Sequence, residues 1–175
     1  MVVKLDLANS LDRVRHDYLF GTLLKFGFDP SFIKWIKACI AKPWIAPLVN
    51  GRETIFFKAS RGLQQGCPLS PLLFMLQASV FNLQLEKMRL EQELMGLQIA
   101  RGIRDINHAQ FVDDTLLIGG ASTLNARLFK YDLDEFCEAS GSRVNAGKSQ
   151  ILGWNLSSLE LNSIVRIFGF KGSTH

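Results

Sequence analysis

The chain has 175 residues, 47% of them hydrophobic, and 20 Lys and Arg against 16 Asp and Glu give a formal net charge of +4. That length and apolar content allow one domain with a sizeable core and exclude disorder as a whole-chain description. The modest positive charge is compatible with a nucleic-acid partner without singling one out. No apolar run reaches membrane-span length, since the longest, around Leu69 to Leu85, is interrupted by Gln and Asn. The start, Met1-Val2-Val3-Lys4-Leu5-Asp6, lacks the regions of a signal peptide. Cys39, Cys67 and Cys137 are widely spaced, odd in number and without a metal-binding pattern, which points to a reducing compartment.

In chain order, Val2 to Leu7 reads as a short buried strand ending near Asp6. A charge embedded between Leu5 and Leu7 needs a partner or a metal, whereas Asp12 reads as an ordinary helix cap. Leu19, Leu23 and Phe26 have helical spacing, and Gly27 gives the stop. Asp29-Pro30-Ser31 opens a second helix with Phe32, Ile33, Ile36 and Ile40 as its apolar stripe. Trp44 to Val49 and Thr54 to Lys58 read as strands of a hairpin turned by Asn50-Gly51-Arg52.

Next, the loop from Ser60 to Pro71 carries Gly62, Gln64, Gln65, Gly66 and Pro68 into a helix so apolar all round that it reads as buried. It lacks the Gly-Lys-Ser/Thr of a nucleotide-hydrolysing phosphate loop. Glu86 to Glu93 reads as exposed, and Gly96 to Gly102 as a short edge strand. Ser122 caps a helix through Phe136 that ends at Gly141. A polar loop with Lys148 leads to a strand over 150–154, and Leu156 to Phe168 reads as a final helix. With no repeat, low-complexity tract or linker, residues 1–175 read as one domain.

The most chemically loaded stretch is Phe111-Val112-Asp113-Asp114-Thr115-Leu116-Leu117-Ile118. It reads as two short strands with the acidic pair at the turn between them. Two like charges side by side cost free energy that a divalent cation would remove, and carboxylate oxygens suit Mg²⁺ or Mn²⁺. Taken alone, the pair reads first as a surface turn, since Asp is a common turn former.

The order of these pieces resembles the palm of a reverse transcriptase, with the nearest likeness to the non-LTR, LINE-type retrotransposon enzymes of plants. The matching stretches are Lys4-Leu5-Asp6-Leu7 with Asp12-Arg13-Val14, Val49-Asn50-Gly51, Arg61 through Phe74, Phe111 through Thr115, and Ser140-Gly141 with Asn145 and Lys148-Ser149. The resemblance implies an α+β fold: a right-hand polymerase palm, with an antiparallel sheet backed by helices and part of the fingers. It implies that most of the fingers and the thumb lie outside these residues, which would leave the 175-residue chain with little activity of its own.

It also implies two-metal nucleotidyl transfer with Mg²⁺ or Mn²⁺, an RNA template, a DNA primer and a deoxynucleoside triphosphate. Asp6 and Asp113 would bridge the ions, and Asp114 would complete the acidic cluster. Gln65 and Gly66 would lie near the incoming nucleotide, and Lys148 near the leaving pyrophosphate. Leu11 stands where the family carries an aromatic residue that excludes a 2′-hydroxyl. Two alternatives remain. One is an inactive retroelement remnant that keeps the palm fold; the other is an unrelated metal-dependent phosphoesterase, which would call for His ligands that His16, His108 and His175 do not space out.

Overall fold

A computed structural model describes residues 1–40, 44–98 and 100–174. Its organising element is a five-stranded sheet of order β6-β7-β1-β8-β9, formed by His108–Phe111, Asp114–Ile118, Val2–Asp6, Gln150–Gly153 and Lys171–Thr174. The central β1 pairs antiparallel with both β7 and β8, while β9 joins β8 in parallel. Side chains alternate across a pleated strand. Val3 and Leu5 of β1 therefore point inward with Leu117 and Ile151, and all four are essentially inaccessible. Val2, Lys4 and Asp6 take the other face, so β1 is buried on one side only and not throughout, as its composition suggested.

Two helices back the buried face, α5 (Thr123–Ser140) and α6 (Ser158–Phe168). Each starts on a serine cap: Ser122 Oγ accepts from the Asn125 N–H, and Ser157 with Glu160 forms a reciprocal capping box. Phe129, Leu133 and Phe136 of α5 and Ile164 and Phe168 of α6 meet the sheet in one apolar cluster. A second cluster lies beside it. There α2 (His16–Lys25) and α3 (Pro30–Ile40) pack Leu19, Leu23, Ile36 and Ile40 against Leu73, Phe74 and Ala78 of the long α4 (Leu69–Leu90). The four-residue α1 (Ser10–Arg13) connects β1 to α2.

Several expectations need correction. Helix α4 is not buried all round: Leu73, Phe74, Gln77, Phe81 and Leu85 form a buried stripe, but Leu72, Met75 and Leu83 are more than half exposed. The charged end of α4 is not simply solvated, because Arg89 is largely buried and pairs with Glu86 and Asp105, with Arg104 also on Glu86. Gly96 to Gly102 forms no strand; only Leu97 bridges to Ile106, and Ile99 lies outside the described residues.

The hairpin at 44–58 is fragmented into β2 (Trp44–Ile45), β3 (Leu48–Val49), β4 (Arg52–Glu53) and β5 (Phe57–Lys58). Its turn is the two residues Asn50 and Gly51, both at positive φ, so Arg52 already belongs to a strand. Pro47 interrupts the first arm because it has no N–H to give the ladder, although its carbonyl accepts from Thr54. No helix among the described residues is long and apolar enough to cross a membrane, and Cys39, Cys67 and Cys137 are free thiols.

Candidate active site

The site forms where β1 ends. The ladder between β1 and β7 sets Asp6 opposite Asp114, and residues directly opposite in a ladder share a face. Hairpin β6-β7 closes with Phe111 opposite Asp114, which leaves only Val112 and Asp113 in the turn. A two-residue turn of this kind needs positive φ at its first position, and Val112 takes φ 55. For a β-branched residue that conformation is strained by about 1–2 kcal/mol. The ladder that closes at Phe111 and Asp114 holds Asp113 at the tip, beyond its end. The acidic pair thus straddles the turn, with Asp113 inside it and Asp114 as the first residue of β7.

The second wall is the loop before β8. The Asn145 N–H donates to the Asp6 carbonyl at 2.8 Å, and the Asp6 N–H donates to Ser149 Oγ at 3.1 Å. The Ala8 N–H donates to the Arg143 carbonyl at 2.8 Å. Within the loop, Asn145 Oδ1 accepts from the Gly147 N–H and the Asn145 carbonyl accepts from the N–H groups of Lys148 and Ser149. This tight turn brings Lys148 Nζ to 4.0 Å from Asp6 Oδ2. The Asp6 side chain is 23% exposed and that of Lys148 70%, so solvent screens the pair and its value is charge placement more than stability.

The third wall is Asn9 to Asp12 together with Gln65. Asn9 adopts φ 50, which turns the chain sharply from β1 into α1. Asp12 sits inside α1 and caps nothing; its Oδ1 accepts from Gln65 Nε2 at 3.1 Å. Together these walls enclose a polar cleft of about 270 Å³ lined by Asp6, Asn9, Leu11, Asp12, Gln65, Asp113, Asn145 and Lys148, among others.

Of the residues singled out from sequence, the fold brings Asp6, Asp113, Lys148, Leu11 and Gln65 onto this one cleft. Asp114 lies across the ladder from Asp6 with an exposed side chain and does not line the cleft. Gly66 is exposed at φ 83, one residue beyond the lining. Among the described residues no three His, Cys, Asp or Glu side chains stand close enough to hold a metal by themselves. Asn9, Asp12 and Asn145 also line the cleft although sequence reasoning gave them no role there. The one cue lay in Asn145, a turn-forming residue three positions before Lys148; Asp12 became visible only once Gln65 was folded against it.

The family model described as "Reverse transcriptase (RNA-dependent DNA polymerase)" matches residues 1–167. The chain is 29% identical over 147 residues to a 149 kDa protein of transposon TX1 from Xenopus laevis, covering 84% of this chain and 11% of that one. It is 31% identical over 119 residues to the Pol polyprotein of a type-1 R2 retrotransposable element from Popillia japonica, covering 67% of this chain and 18% of that one. Among solved structures, telomerase from Candida albicans superimposes with a TM-score of 0.63 at 15% identity, over 85% of this chain and 26% of that one. The chain therefore spans less than a fifth of either retroelement protein.

The sheet and its backing helices have the fold of a polymerase palm. The chain belongs to the reverse transcriptase family, as a domain of the kind carried by TX1- and R2-type non-LTR retrotransposons.

Proposed function

We propose that this domain is the palm of an RNA-directed DNA polymerase, which extends a DNA primer on an RNA template from deoxynucleoside triphosphates with two Mg²⁺ or Mn²⁺ ions. The observation that carries this reading is that Asp6 and Asp113, distant in sequence, face one polar cleft at the open end of the sheet. The donor set fits a hard divalent cation. Both groups offer carboxylate oxygens, and no Lys, Arg or His side chain among the described residues pairs with Asp113. Like charges that share one cleft are stabilised by a cation between them.

Ions held there would neutralise phosphate charge and favour the ionised primer 3′-oxygen. The rest of the chemistry belongs to the chain. Asp6 is fixed by backbone hydrogen bonds at both its N–H and its carbonyl, so its carboxylate is placed before any ligand arrives. Asp113 stands at the strained turn, and Asp114 adds negative charge beside them from the neighbouring ladder position. The Lys148 ammonium is the cation on the cleft wall, suited to meet phosphate oxygens and to give a proton to the leaving pyrophosphate. Leu11 provides an apolar surface for the sugar, and Gln65 with Gly66 borders the base. Positioning supplies most of phosphoryl-transfer catalysis, and these anchored groups are positioning devices.

A finer assignment, to a LINE-type element of plants, rests on the motif stretches alone, and a phylogeny that placed the chain within animal elements would refute it. Calorimetric titration with Mn²⁺ tests the metal site: the wild type gives binding heat and Asp113→Asn does not. Equal heats would contradict the assignment. Any dNTP incorporation on a DNA-primed RNA template is likewise abolished by Asp113→Asn, and incorporation that survives it would count against the mechanism.

A further inference from the structure

Two cavities meet at one hydrogen bond. The acidic cleft lies on one side of it, and on the other is a groove of about 650 Å³ whose walls include Trp44, Arg61 and Gln64. Asp12 and Gln65 line both. We propose that Asp12 is a positioning residue that fixes the Gln65 carboxamide on the ridge between cleft and groove, and that it is not a metal ligand. The inference rests on the palm reading, because the nucleotide is what Gln65 would be held in place to meet.

The loop that carries Gln65 is anchored at both ends. At its start, the segment 61–63 runs antiparallel to 11–15: the Leu63 N–H donates to the Leu11 carbonyl and the Gly62 N–H to the Val14 carbonyl, each at 2.8 Å, and Arg15 bridges Arg61. This pairing is so close that a Cβ on Gly62 would come 2.8 Å from the Asp12 carbonyl oxygen, and Gly62 takes φ 90. Only glycine meets both demands. At its end, Ser70 Oγ donates to the Gln64 carbonyl at 2.7 Å, tying the loop to the start of α4.

Gln65 itself is exposed, and the contact of its carboxamide among the described residues is Asp12 Oδ1 at 3.1 Å. A glutamine side chain free in solvent samples many rotamers, and ordering it on ligand binding costs conformational entropy. A carboxylate acceptor is a strong one for an amide donor, so the bond sets the rotamer before the ligand arrives. Asp12 Oδ1 is thereby engaged by the loop, and Asp12 serves the cleft by holding Gln65.

The experiment uses the 175-residue chain with dGTP and Ca²⁺ as a non-reactive probe, alongside the ¹⁵N side-chain amide signal of Gln65, identified by its loss in Gln65→Ala. Asp12→Ala moves that amide signal toward free glutamine, and Asp12→Asn, which keeps an oxygen acceptor, restores most of it. In the titration, Asp12→Ala and Gln65→Ala each weaken dGTP binding by about fivefold, the double variant is no weaker than either single one, and Asp12→Asn recovers most of the loss. The Ca²⁺ affinity in the absence of nucleotide is unchanged in all four.

An amide signal indifferent to Asp12→Ala overturns the proposal. So do additive losses in the double variant, or an Asp12→Asn variant that loses Ca²⁺ binding, which would make Asp12 a ligand. If the wild type binds no dGTP while the amide signal responds as stated, the hydrogen bond stands. What falls in that case is the palm reading, and the positioning role falls with it.

Discussion

Around the five-stranded sheet, α5 and α6 cover the inner face so completely that Phe129, Leu133, Ile151 and Ile164 are at most 1% exposed. On the other side of the cleft the hairpins at 44–58 leave Trp44, Leu48, Ile55 and Phe57 at least half in solvent, and α2, α3 and α4 frame an open apolar groove. The active-site candidates divide along this seam. Asp6 sits between Leu5, which belongs to the first apolar cluster, and Leu7, which belongs to the second. Asp113 and Lys148 come from the closed half, while Gln65 comes from the loop that borders the open one. Asp6 is thus mounted on a packed strand, and Asp113 on the tip of a hairpin whose strand β7 packs Leu117 into the core. The wall that a nucleic acid would meet is mounted on the less packed part, where local opening costs least.

Burial predicts the largest contrast between the halves. Phe129→Ala, in the closed half, lowers unfolding free energy by about 3–5 kcal/mol, whereas Ile55→Ser, at 90% exposure, changes it by no more than about 0.5 kcal/mol. Urea titration of the two variants measures both, and comparable losses would erase the distinction.

Next comes the seam itself. Gly62→Ala costs about 2–3 kcal/mol, because it meets the Asp12 backbone as well as requiring positive φ. Gly66→Ala costs about 1 kcal/mol, since at φ 83 it meets no atom within 4 Å. Equal costs would mean that the 61–63 segment does not lie against α1.

The third prediction concerns a flaw in the closed half. Asp132 on α5 is buried, and its Oδ2 has no hydrogen-bond partner. Burial, reinforced by Glu135, pushes its carboxyl up to about 6 from an ordinary value of 3.8. The folded state therefore holds this proton more tightly than the unfolded chain does. The stability that comes with it is fully present below pH 3.8 and is lost as pH rises through about 6. Asp132→Asn should gain about 1–2 kcal/mol over the wild type at pH 7.5, and the gain should vanish near pH 3.8. Urea unfolding at the two pH values reads the difference, and a gain independent of pH would show that the charge is not its source.

Much of this arrangement is written locally. The helix cap at Ser122, Gly27 and Gly141 after helices, and the Asn50-Gly51 turn are decided by a few neighbouring residues and could be read as such. The carboxylates at the end of β1 and the β6-β7 turn were legible because charges inside apolar strands are costly without a purpose. What escaped was whatever depends on distant partners. Strand β9, Lys171–Thr174, has no apolar alternation and exists because β8 offers it a parallel edge. Arg89 looked solvated until Asp105 folded against it. The exposed face of α4 looked buried because composition reports how apolar a helix is, not whether anything covers it. The Asp12–Gln65 bond belongs to the same class, since 11–15 and 61–63 meet only in the folded chain.

The central claim is that Asp6 and Asp113 serve one cation site. Paramagnetic broadening of backbone amide signals by substoichiometric Mn²⁺ maps that site directly. The amides of Asp6, Asp113 and Asn145 should broaden first in the wild type and should stay sharp in Asp113→Asn. Broadening centred instead on Glu86 and Asp105, or broadening at the cleft that persists in Asp113→Asn, would contradict the account.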